Sequence, residues 1–353
     1  MTDGYFHAVA RETPTRVWVN NPTAGEIEPA IKAGAINMTS NPSYASSLLK
    51  NERGYIQSII DEVVQQTADD DEAAYRVNEQ IVARAARMFL PLYERSEGKQ
   101  GWVTIQGDPR RDDDADVIVG EAMRYRRQGE NIMTKIPVTK SGMKAMERLI
   151  PENVAVCATE VFSIAQAVRI CELYDRATGA CGKKSPMYVT HITGIFDEYL
   201  TDVVKQNHEQ VRPDILEQAG CIVGRKQYRL LKERGYPVTM LGGGARGNRH
   251  FTEFVGGDMH ITINWSTARS LLEENNPVLS RINAVPPEGA VDGLLKLPDF
   301  RKAYEEDGLK VEEFAEYGPV QLFRSMFLKG YNHLLSEIRV RRTGERKDGQ
   351  RKK

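Results

Sequence analysis

Lys135 is the residue of this sequence whose type and setting best suit covalent chemistry. It lies in the segment Asn-Ile-Met-Thr-Lys-Ile-Pro-Val-Thr, residues 131–139, where a strand would place it on the same side as Met133 and Pro137. If that side is buried, loss of solvation lowers the pKa of the amine, which can then attack a carbonyl group and form an imine. The protonated imine withdraws electrons and permits cleavage of a carbon–carbon bond. A lysine at an exposed strand end is the alternative interpretation.

Eight short runs rich in β-branched residues alternate with longer amphipathic segments. This alternation is typical of β/α units on a parallel sheet. A doubly wound open sheet alternates in the same way, but eight successive units favour a (β/α)8 TIM barrel. Catalytic groups of such barrels gather on the inward face near the C-terminal ends of the strands. The predicted strands cover residues 17–20, 35–39, 101–106, 132–138, 154–161, 187–193, 237–241 and 259–264.

Two regions of the sequence contain more helical segments than the eight β/α units of a barrel require. Residues 42–93 carry two or three helical segments between the second and third strands, which predicts a helical insertion there. Residues 286–298 are typical of a loop, and residues 320–338 return to a helical period, so we expect a C-terminal helix to pack across the barrel and over its mouth. The chain is accordingly divided into a barrel (1–280), a C-terminal loop and helix (281–340) and a disordered basic tail (341–353).

Composition narrows the class of protein. The 353 residues are 41% hydrophobic with a formal net charge of -1, which allows one large core and argues against a nucleic-acid partner. The cysteines are widely spaced and lack a histidine cluster, so we expect reduced thiols and no metal site. The sequence shows neither a signal peptide nor the ~20 apolar residues that span a bilayer, which predicts a cytoplasmic protein without a membrane partner. The cysteines are Cys157, Cys171, Cys181 and Cys221.

Residues 17–272 resemble the transaldolase family in the order and spacing of several motifs. Lys-Ile-Pro-Val-Thr, beginning at Lys135 in the fourth predicted unit, is similar to the family's signature, whose lysine forms the imine. Thr-Ser-Asn-Pro-Ser at residues 39–43 resembles the family's Thr-Thr-Asn-Pro-Ser, which implies that Asn41 orients substrate hydroxyl groups. The resemblance also implies the barrel fold and aldol-type chemistry. It requires no cofactor, because the protonated imine does the work that a divalent ion does in metal-dependent aldolases.

Two further motifs complete the resemblance. The segment at residues 158–167, Ala-Thr-Glu-Val-Phe-Ser-Ile-Ala-Gln-Ala, is similar to the family's Asn-x-Thr-x-x-Phe-Ser-x-x-Gln-Ala, although Cys157 stands at the asparagine. This similarity implies that Thr159 holds a catalytic water and that Ser163 contacts substrate. Residues 243–248, Gly-Gly-Ala-Arg-Gly-Asn, stand where the family has Ala-Ser-Phe-Arg-Asn, which implies an anchoring role for Arg246. Taken singly, each motif also has a purely structural interpretation, such as a turn or a strand.

Two carboxylates that take part in the family's reaction are replaced in this sequence. Asn20 stands where the first strand of the family ends in an aspartate, and an alignment shifted by one residue gives Asn21 instead. Gln106 stands at the glutamate that helps to hold the catalytic water. Glutamine at this position resembles the fructose-6-phosphate aldolase branch, which favours free aldol cleavage and addition. An amide can orient a water but cannot take its proton, so another group must perform the acid–base work.

His191 is the first candidate for that group. It stands where transaldolases have an aromatic residue and the aldolase branch has a catalytic tyrosine, and histidine titrates near neutrality. A hydrogen-bonded core histidine is the alternative. Glu160 is a second candidate, ranked lower because a neighbour of Thr159 on a regular strand should point away from the barrel lumen.

The predicted anion site is also altered. Gly194 stands at an arginine that helps to bind the sugar phosphate, and Gly244 replaces a serine in the seventh loop. Arg246 remains, and backbone amides of the glycine-rich run, or Arg249, could help to hold an anion. A simple tight turn is the alternative. The substrate is therefore expected to differ from an ordinary sugar phosphate, or to have its anion held by other groups.

Three functions fit these observations. The first is a Schiff-base aldolase or transaldolase that acts on a ketose-type or related keto substrate, with Lys135 as the nucleophile. The second is a dehydratase or isomerase that proceeds through the same imine. The third is a barrel that has lost catalysis and retains a binding role. The C-terminal helix could serve as a pairing surface for a homodimer.

Overall fold

The eight predicted strands form, pair in chain order and close into a parallel barrel. The structure is a computed structural model that describes residues 4–344. The first strand runs beside the last, with Asn20 opposite Asn264, which completes the ring. The predicted (β/α)8 fold class is confirmed. The strands are β1 (Arg16–Asn20), β2 (Asn37–Thr39), β3 (Val103–Gln106), β4 (Ile132–Pro137), β5 (Val156–Val161), β6 (Met187–Ile192), β7 (Thr239–Gly243) and β8 (His260–Asn264).

Helices surround the barrel and bury their apolar faces against the outer side of the strands. This arrangement follows from the period-3.6 spacing of apolar residues between the strands. The described helices are α1 (Tyr5–Glu12), α2 (Ala24–Lys32), α3 (Tyr44–Asn51), α4 (Arg53–Gln66), α5 (Asp70–Arg95), α6 (Ala115–Tyr125), α7 (Lys140–Leu149), α8 (Ile164–Cys181), α9 (Gly194–Asn207), α10 (Pro213–Leu216), α11 (Ala219–Glu233), α12 (Arg249–Thr252), α13 (Trp265–Glu274), α14 (Ala290–Leu294), α15 (Pro298–Tyr304) and α16 (Gly318–Thr343).

The helical insertion consists of α3, α4 and α5, which lie between β2 and β3 as predicted. The longest of them, α5, begins after Asp69 because the side chain of Asp69 accepts hydrogen bonds from the amides of Asp71 and Glu72. The insertion gives the C-terminal helix a surface on which to pack, since α16 contacts all three of its helices.

The C-terminal helix α16 covers part of the barrel mouth, as expected. Its side chains Phe323, Met326 and Phe327 line the pocket at the C-terminal ends of the strands. The helix is longer at both ends than the predicted residues 320–338. The prediction of a loop over residues 286–298 was wrong in its middle, because α14 forms there with Ala290 and Leu294 buried.

The predicted disordered tail over residues 341–353 was wrong at its start. Helix α16 continues to Thr343 because Arg341 pairs with Asp61 and Arg342 pairs with Asp70 of the insertion. These ion pairs give the basic end of the helix acidic partners that composition alone does not reveal. Residues 345–353 lie outside the described part of the chain.

Large side chains fill the lower part of the barrel lumen. Met133 belongs to this layer, and Lys135 lies two residues further along β4, toward the mouth. The packed layer therefore forms a floor beneath Lys135. Among residues 4–344, no helix is long and apolar enough to cross a bilayer. The layer contains Trp18, Trp102, Met133, Ala155, Cys157, Tyr188 and Leu241.

Candidate active site

Lys135 lies in a pocket of about 390 Å³ at the C-terminal end of the barrel. Parallel strands in a closed barrel all end at the same face, so this pocket collects the last residues of several strands. Polar side chains dominate the wall on the side of β1, β2 and β8, and Phe323 and Phe327 of α16 form an apolar wall. A cleft with convergent polar groups and one apolar wall suits a small polyhydroxylated molecule.

Lys135 is almost completely buried, with 7% of its surface exposed. Its Nζ atom donates a hydrogen bond to the carbonyl oxygen of Ser40 at 3.3 Å and lies 5.9 Å from the centre of the Phe327 ring. Burial lowers the pKa of Lys135, although nearby Cys157 and Glu160 oppose the shift. A buried amine with a lowered pKa is the form of lysine that attacks a carbonyl group.

Gln106 and Thr159 flank Lys135 on the neighbouring strands. Gln106 pairs with Lys135 across β3 and β4, and Thr159 pairs with Pro137, two residues beyond Lys135 on β4. Residues paired side by side point to the same face of a sheet, so both side chains turn toward the lumen with the lysine. The Oε1 atom of Gln106 and the Oγ1 atom of Thr159 are buried and have no hydrogen-bond partner. Buried polar atoms rarely lack a partner, so these two point to a ligand or a water.

Glu160 lines a second cavity and not the pocket of Lys135, but the expectation that it points away from the lumen was wrong, because its side chain reaches the lumen-facing Gln106. The pairing of β5 with β6 shifts between Ala158 and Val161, so that the two residues between them face one residue of β6. Such a β-bulge breaks the strict alternation of side chains, and Glu160 adopts a φ of 60°. Its Oε1 atom accepts a hydrogen bond of 3.0 Å from Nε2 of Gln106. Burial raises the pKa of Glu160 to about 8.

Asn20 lies in the pocket, where its side chain is held by hydrogen bonds on both sides. Its Nδ2 atom donates to Oδ1 of Asn264 at 2.8 Å, and its Oδ1 atom accepts from Oγ1 of Thr39 at 2.9 Å. Thr39 in turn is 2.6 Å from the hydroxyl of Thr262. The position therefore presents a fixed amide to the pocket. An amide can align a substrate hydroxyl group but cannot take its proton.

Asn41 and Ser163 have different surroundings. Asn41 lines the pocket, where its Oδ1 atom accepts a hydrogen bond from the amide of Ser43 at 3.0 Å. Ser163 is completely buried and caps the N-terminus of α8, with its hydroxyl bonded to Gln166. The structure therefore does not bring Ser163 to the pocket, and its side chain takes part in the capping box instead.

The loop after β7 brings Gly244 and Arg246 to the pocket. Nε of Arg246 donates to Oε1 of Glu198 at 2.6 Å, so its guanidinium group has an acidic partner at the rim. Gly194 packs directly against this loop: a Cβ atom there would lie 2.7 Å from the carbonyl oxygen of Gly244. The loop thus occupies the space that a side chain at position 194 would need, which accounts for glycine at the position of the expected arginine.

Arg249 lies outside the pocket wall. Its guanidinium group pairs with Glu217 at 3.0 Å and lies 3.7 Å from Asp197. Asp197 also binds the buried ring of His250, whose Nδ1 atom accepts the backbone amide of Arg246. These contacts hold the loop that carries Arg246. The suggestion that Arg249 could hold the substrate anion is not supported by this geometry.

His191 lies on the outer face of β6, and its prediction as a pocket residue was wrong. Its Nε2 atom donates to the carbonyl oxygen of Gly220 in α11 at 2.9 Å, and the side chain is completely buried. Thr190 and Ile192, its neighbours on both sides, line the pocket instead. Because successive strand residues face opposite sides, His191 must face the helices. Burial lowers its pKa to about 4, so it is neutral near pH 7.

Several wall residues were not identified from the sequence. One sequence feature could have identified them: each is a polar residue at an inward-facing position near the end of a strand, or in the loop or helix start that follows it. Single positions of this kind are common in any sequence, and only closure of the barrel brings them together. Among the described residues, no group of three or more histidine, cysteine or acidic side chains is placed to hold a metal ion. The additional polar wall residues are Glu26, Ser43, Ser47, Thr190, Thr262, Asn264 and Ser266.

Comparison with known families assigns the barrel. The family described as transaldolase/fructose-6-phosphate aldolase matches residues 17–315 of the chain. The chain belongs to this family. The match includes all eight strands and the pocket loops, so the resemblance noted in single motifs extends over most of the sequence.

Individual transaldolases are similar to this chain over shorter regions than the family match. "Transaldolase" of Neisseria meningitidis serogroup C (strain 053442) is 27% identical over 210 residues, which cover 54% of this chain and 59% of that protein. "Transaldolase 1" of Streptomyces avermitilis is 29% identical over 141 residues, covering 39% of this chain and 37% of that protein. "Transaldolase" of Saccharopolyspora erythraea is 30% identical over 141 residues, covering 39% and 38% respectively. The matched regions thus span between about two fifths and three fifths of these relatives.

Proposed function

We propose that this member of the transaldolase/fructose-6-phosphate aldolase family makes or breaks a carbon–carbon bond of a ketose-type substrate through an imine on Lys135. The carrying observation is a buried amine with a lowered pKa at the base of the mouth pocket. The neutral Nζ atom adds to the substrate carbonyl, and loss of water gives the protonated imine. Electrons from the adjacent carbon–carbon bond then flow into the imine and form an enamine.

The walls of the pocket suit such a substrate. Fixed side chains of Asn20, Asn41 and Asn264 offer amide groups to a row of hydroxyl groups. The aromatic rings of α16 exclude water from one side of Lys135. The Arg246 guanidinium group at the rim could hold an anionic substituent if that anion replaces Glu198 as its partner.

Gln106 favours free aldol cleavage and addition over obligatory transfer. Its amide occupies the lumen-facing position beside Lys135 and presents an unpartnered oxygen. After the enamine carbon has been protonated to restore the imine, this oxygen can align the water that hydrolyses the imine and releases the ketone product.

Borohydride trapping tests the proposal. The protein is incubated with dihydroxyacetone, reduced with sodium borohydride and digested for mass spectrometry. We expect a glyceryl adduct on Lys135 and none in Lys135→Met. The exposed Lys144 on α7 provides the matched control, since Lys144→Met should form as much reduced adduct on Lys135 as the unmodified protein does. Absence of an adduct with both dihydroxyacetone and fructose 6-phosphate would refute the imine.

A further inference from the structure

The proposed reaction needs a group that gives and takes protons beside Lys135. Glu26 is the acidic residue in the pocket wall, but its Oε2 atom accepts the amide of Thr23 in the capping box that begins α2. The thiol of Cys157 is buried, bonded to Thr190, and burial raises its pKa. His191 faces the opposite side of the sheet. These contacts exclude Cys157 and His191, and the carboxylate of Glu26, although it lines the pocket, is held in the helix cap.

Glu160 differs from these groups in its placement. Its carboxyl group crosses the end of β4 to reach Gln106 on β3, and β4 is the strand that carries Lys135. Only 1% of Glu160 is exposed, and it lines a second cavity of about 190 Å³ that reaches the C-terminal face. The carboxyl group therefore lies between the imine site and an opening through which protons can exchange with solvent.

Resting on the proposed imine chemistry, we propose that Glu160 is the acid–base residue of this enzyme and exchanges protons with the Lys135 adduct through a water held by Gln106 and Thr159. The unpartnered oxygens of Gln106 and Thr159 mark where that water binds. The hydrogen bond from Gln106 to Glu160 fixes the amide so that its oxygen, and not its nitrogen, is free. The carboxyl group that the family carries on β3 is thus supplied in this chain from β5, at a position where the family motif specifies no residue type.

The proton balance of the cycle closes on Glu160. The protonated carboxyl group first gives its proton, through the water, to the hydroxyl group of the Lys135 adduct, which leaves as water as the carbon–nitrogen double bond forms. The carboxylate then accepts the proton of the substrate's β-hydroxyl group while the carbon–carbon bond breaks. The bonding pair enters the imine to give the enamine, and an aldehyde forms. Glu160, again protonated, then gives this proton to the enamine carbon, which restores the imine. Its carboxylate next accepts a proton from the water that adds to the imine carbon. The carbon–nitrogen bond of the resulting adduct breaks as the hydroxyl proton passes to nitrogen, which releases the ketone and the neutral amine of Lys135 and leaves Glu160 protonated.

Charges around Glu160 support this cycle. Asp112 and burial raise the pKa of Glu160, whereas Lys135 and Arg324 lower it, and the result is a value of about 8. Formation of the positively charged imine adds a permanent cation beside the carboxyl group and favours its ionised form. Other charged groups line the same cavity on α7 and on the segments that precede α6 and α16, namely Asp113, Lys140 and Glu316.

Two readouts separate this proposal from the proposed function. Imine formation is measured by borohydride trapping at equilibrium with dihydroxyacetone, and proton transfer by deuterium incorporation into dihydroxyacetone in D2O, followed by NMR. In Glu160→Gln, we expect the amount of reduced adduct on Lys135 to stay within about twofold of that in the unmodified protein. We expect the rate of deuterium incorporation to be at least about 100-fold lower. If the unmodified protein does not trap, the imine fails; if Glu160→Gln traps and exchanges normally, the role of Glu160 fails.

The reciprocal exchange is a sharper test. A double variant, Gln106→Glu with Glu160→Gln, returns the carboxyl group to β3 and should recover at least about tenfold of the lost exchange rate. If the double variant catalyses deuterium incorporation no faster than Glu160→Gln, the proposal that a carboxyl group on β5 replaces the family's carboxyl group on β3 is overturned.

The pH profile tests Glu160 without changing it. In the unmodified protein, kcat/KM for exchange should fall above about pH 8, because the carboxyl proton that drives dehydration is lost. Asp112→Asn removes a charge that raises the pKa of Glu160, so this decline should move to lower pH. A profile that does not decline there, or that Asp112→Asn leaves unchanged, would overturn the role of Glu160.

Discussion

The two halves of the barrel mouth differ in how their polar groups are satisfied. On the side of β1, β2 and β8, Asn20, Thr39 and Asn264 bind one another, and only the neighbouring Asn21 of this wall keeps a buried oxygen without a partner among the described residues. On the side of β3 to β5, Gln106 and Thr159 keep buried atoms without a partner beside Lys135. Unmet polar groups cost stability and persist where a ligand or a reaction uses them. The first half therefore resembles a fixed binding wall, and the second half has the features of a reaction centre.

The largest effect is expected in the second half, at the amine itself. Lys135→Met removes the proposed nucleophile, and aldol turnover should fall by at least about 10⁴-fold because no other lysine of the described residues lines the pocket. Turnover is measured as release of the aldehyde product from fructose 6-phosphate, with Lys144→Met as the control. Residual turnover within about tenfold of the unmodified protein would place the reaction outside this half.

A matched pair of threonines compares the halves directly. Thr159→Val should lower turnover by about 100-fold but change the free energy of unfolding by less than about 1 kcal/mol, since its hydroxyl group has no partner. Thr39→Val should do the reverse: a stability loss of about 1–3 kcal/mol, because the oxygen of Asn20 loses its donor, with turnover reduced by less than about tenfold. Chemical denaturation and steady-state kinetics measure both, and similar profiles for the two variants would remove the distinction.

The loop after β7 tests how tightly the rim is packed. Gly194→Ala places a Cβ atom 2.7 Å from the Gly244 carbonyl oxygen, so it should lower the free energy of unfolding by about 1–3 kcal/mol. It should also raise KM for a phosphorylated substrate, since the loop carries Arg246. Gly179→Ala in α8 is the control, because its Cβ atom meets nothing within 4 Å and should stabilise the helix slightly. An unaltered KM would separate this loop from substrate binding.

The smallest effect on turnover is expected outside both halves, at His191. Glutamine at this position can still donate to the Gly220 carbonyl oxygen, so His191→Gln should change turnover by less than about threefold. Acid stability should respond instead. The pKa of about 4 in the folded protein lies below the usual histidine pKa of 6.5, so the neutral ring stabilises the fold above pH 6.5, and this contribution is lost as the pH falls toward 4.

The variant should therefore lose less stability than the unmodified protein between pH 6.5 and 4, as measured by thermal unfolding. A large loss of turnover in His191→Gln with an unchanged stability profile would return His191 to the reaction.

Features that depend on nearby residues in the chain were predicted correctly, and features that depend on pairing between strands distant in the chain were not. All eight strands were predicted to within two residues at each end, because a strand's pattern of β-branched residues is local. Side-chain direction was predicted correctly for Lys135, where β4 alternates regularly. It was wrong for Glu160, because one bulge between β5 and β6 changes the alternation, and pairing with another strand is not visible in a single strand's sequence.

The sequence alone determined the fold class, the family resemblance and the candidate nucleophile, since each depends on residue types in a short segment and on the order of those segments. The tertiary structure decided which residues surround Lys135. His191 faces the outer helices, Ser163 caps a helix, and the side chain of Glu160 extends across β4 to Gln106. These outcomes depend on which residues are neighbours after the barrel closes, and closure joins strands that are far apart in the chain.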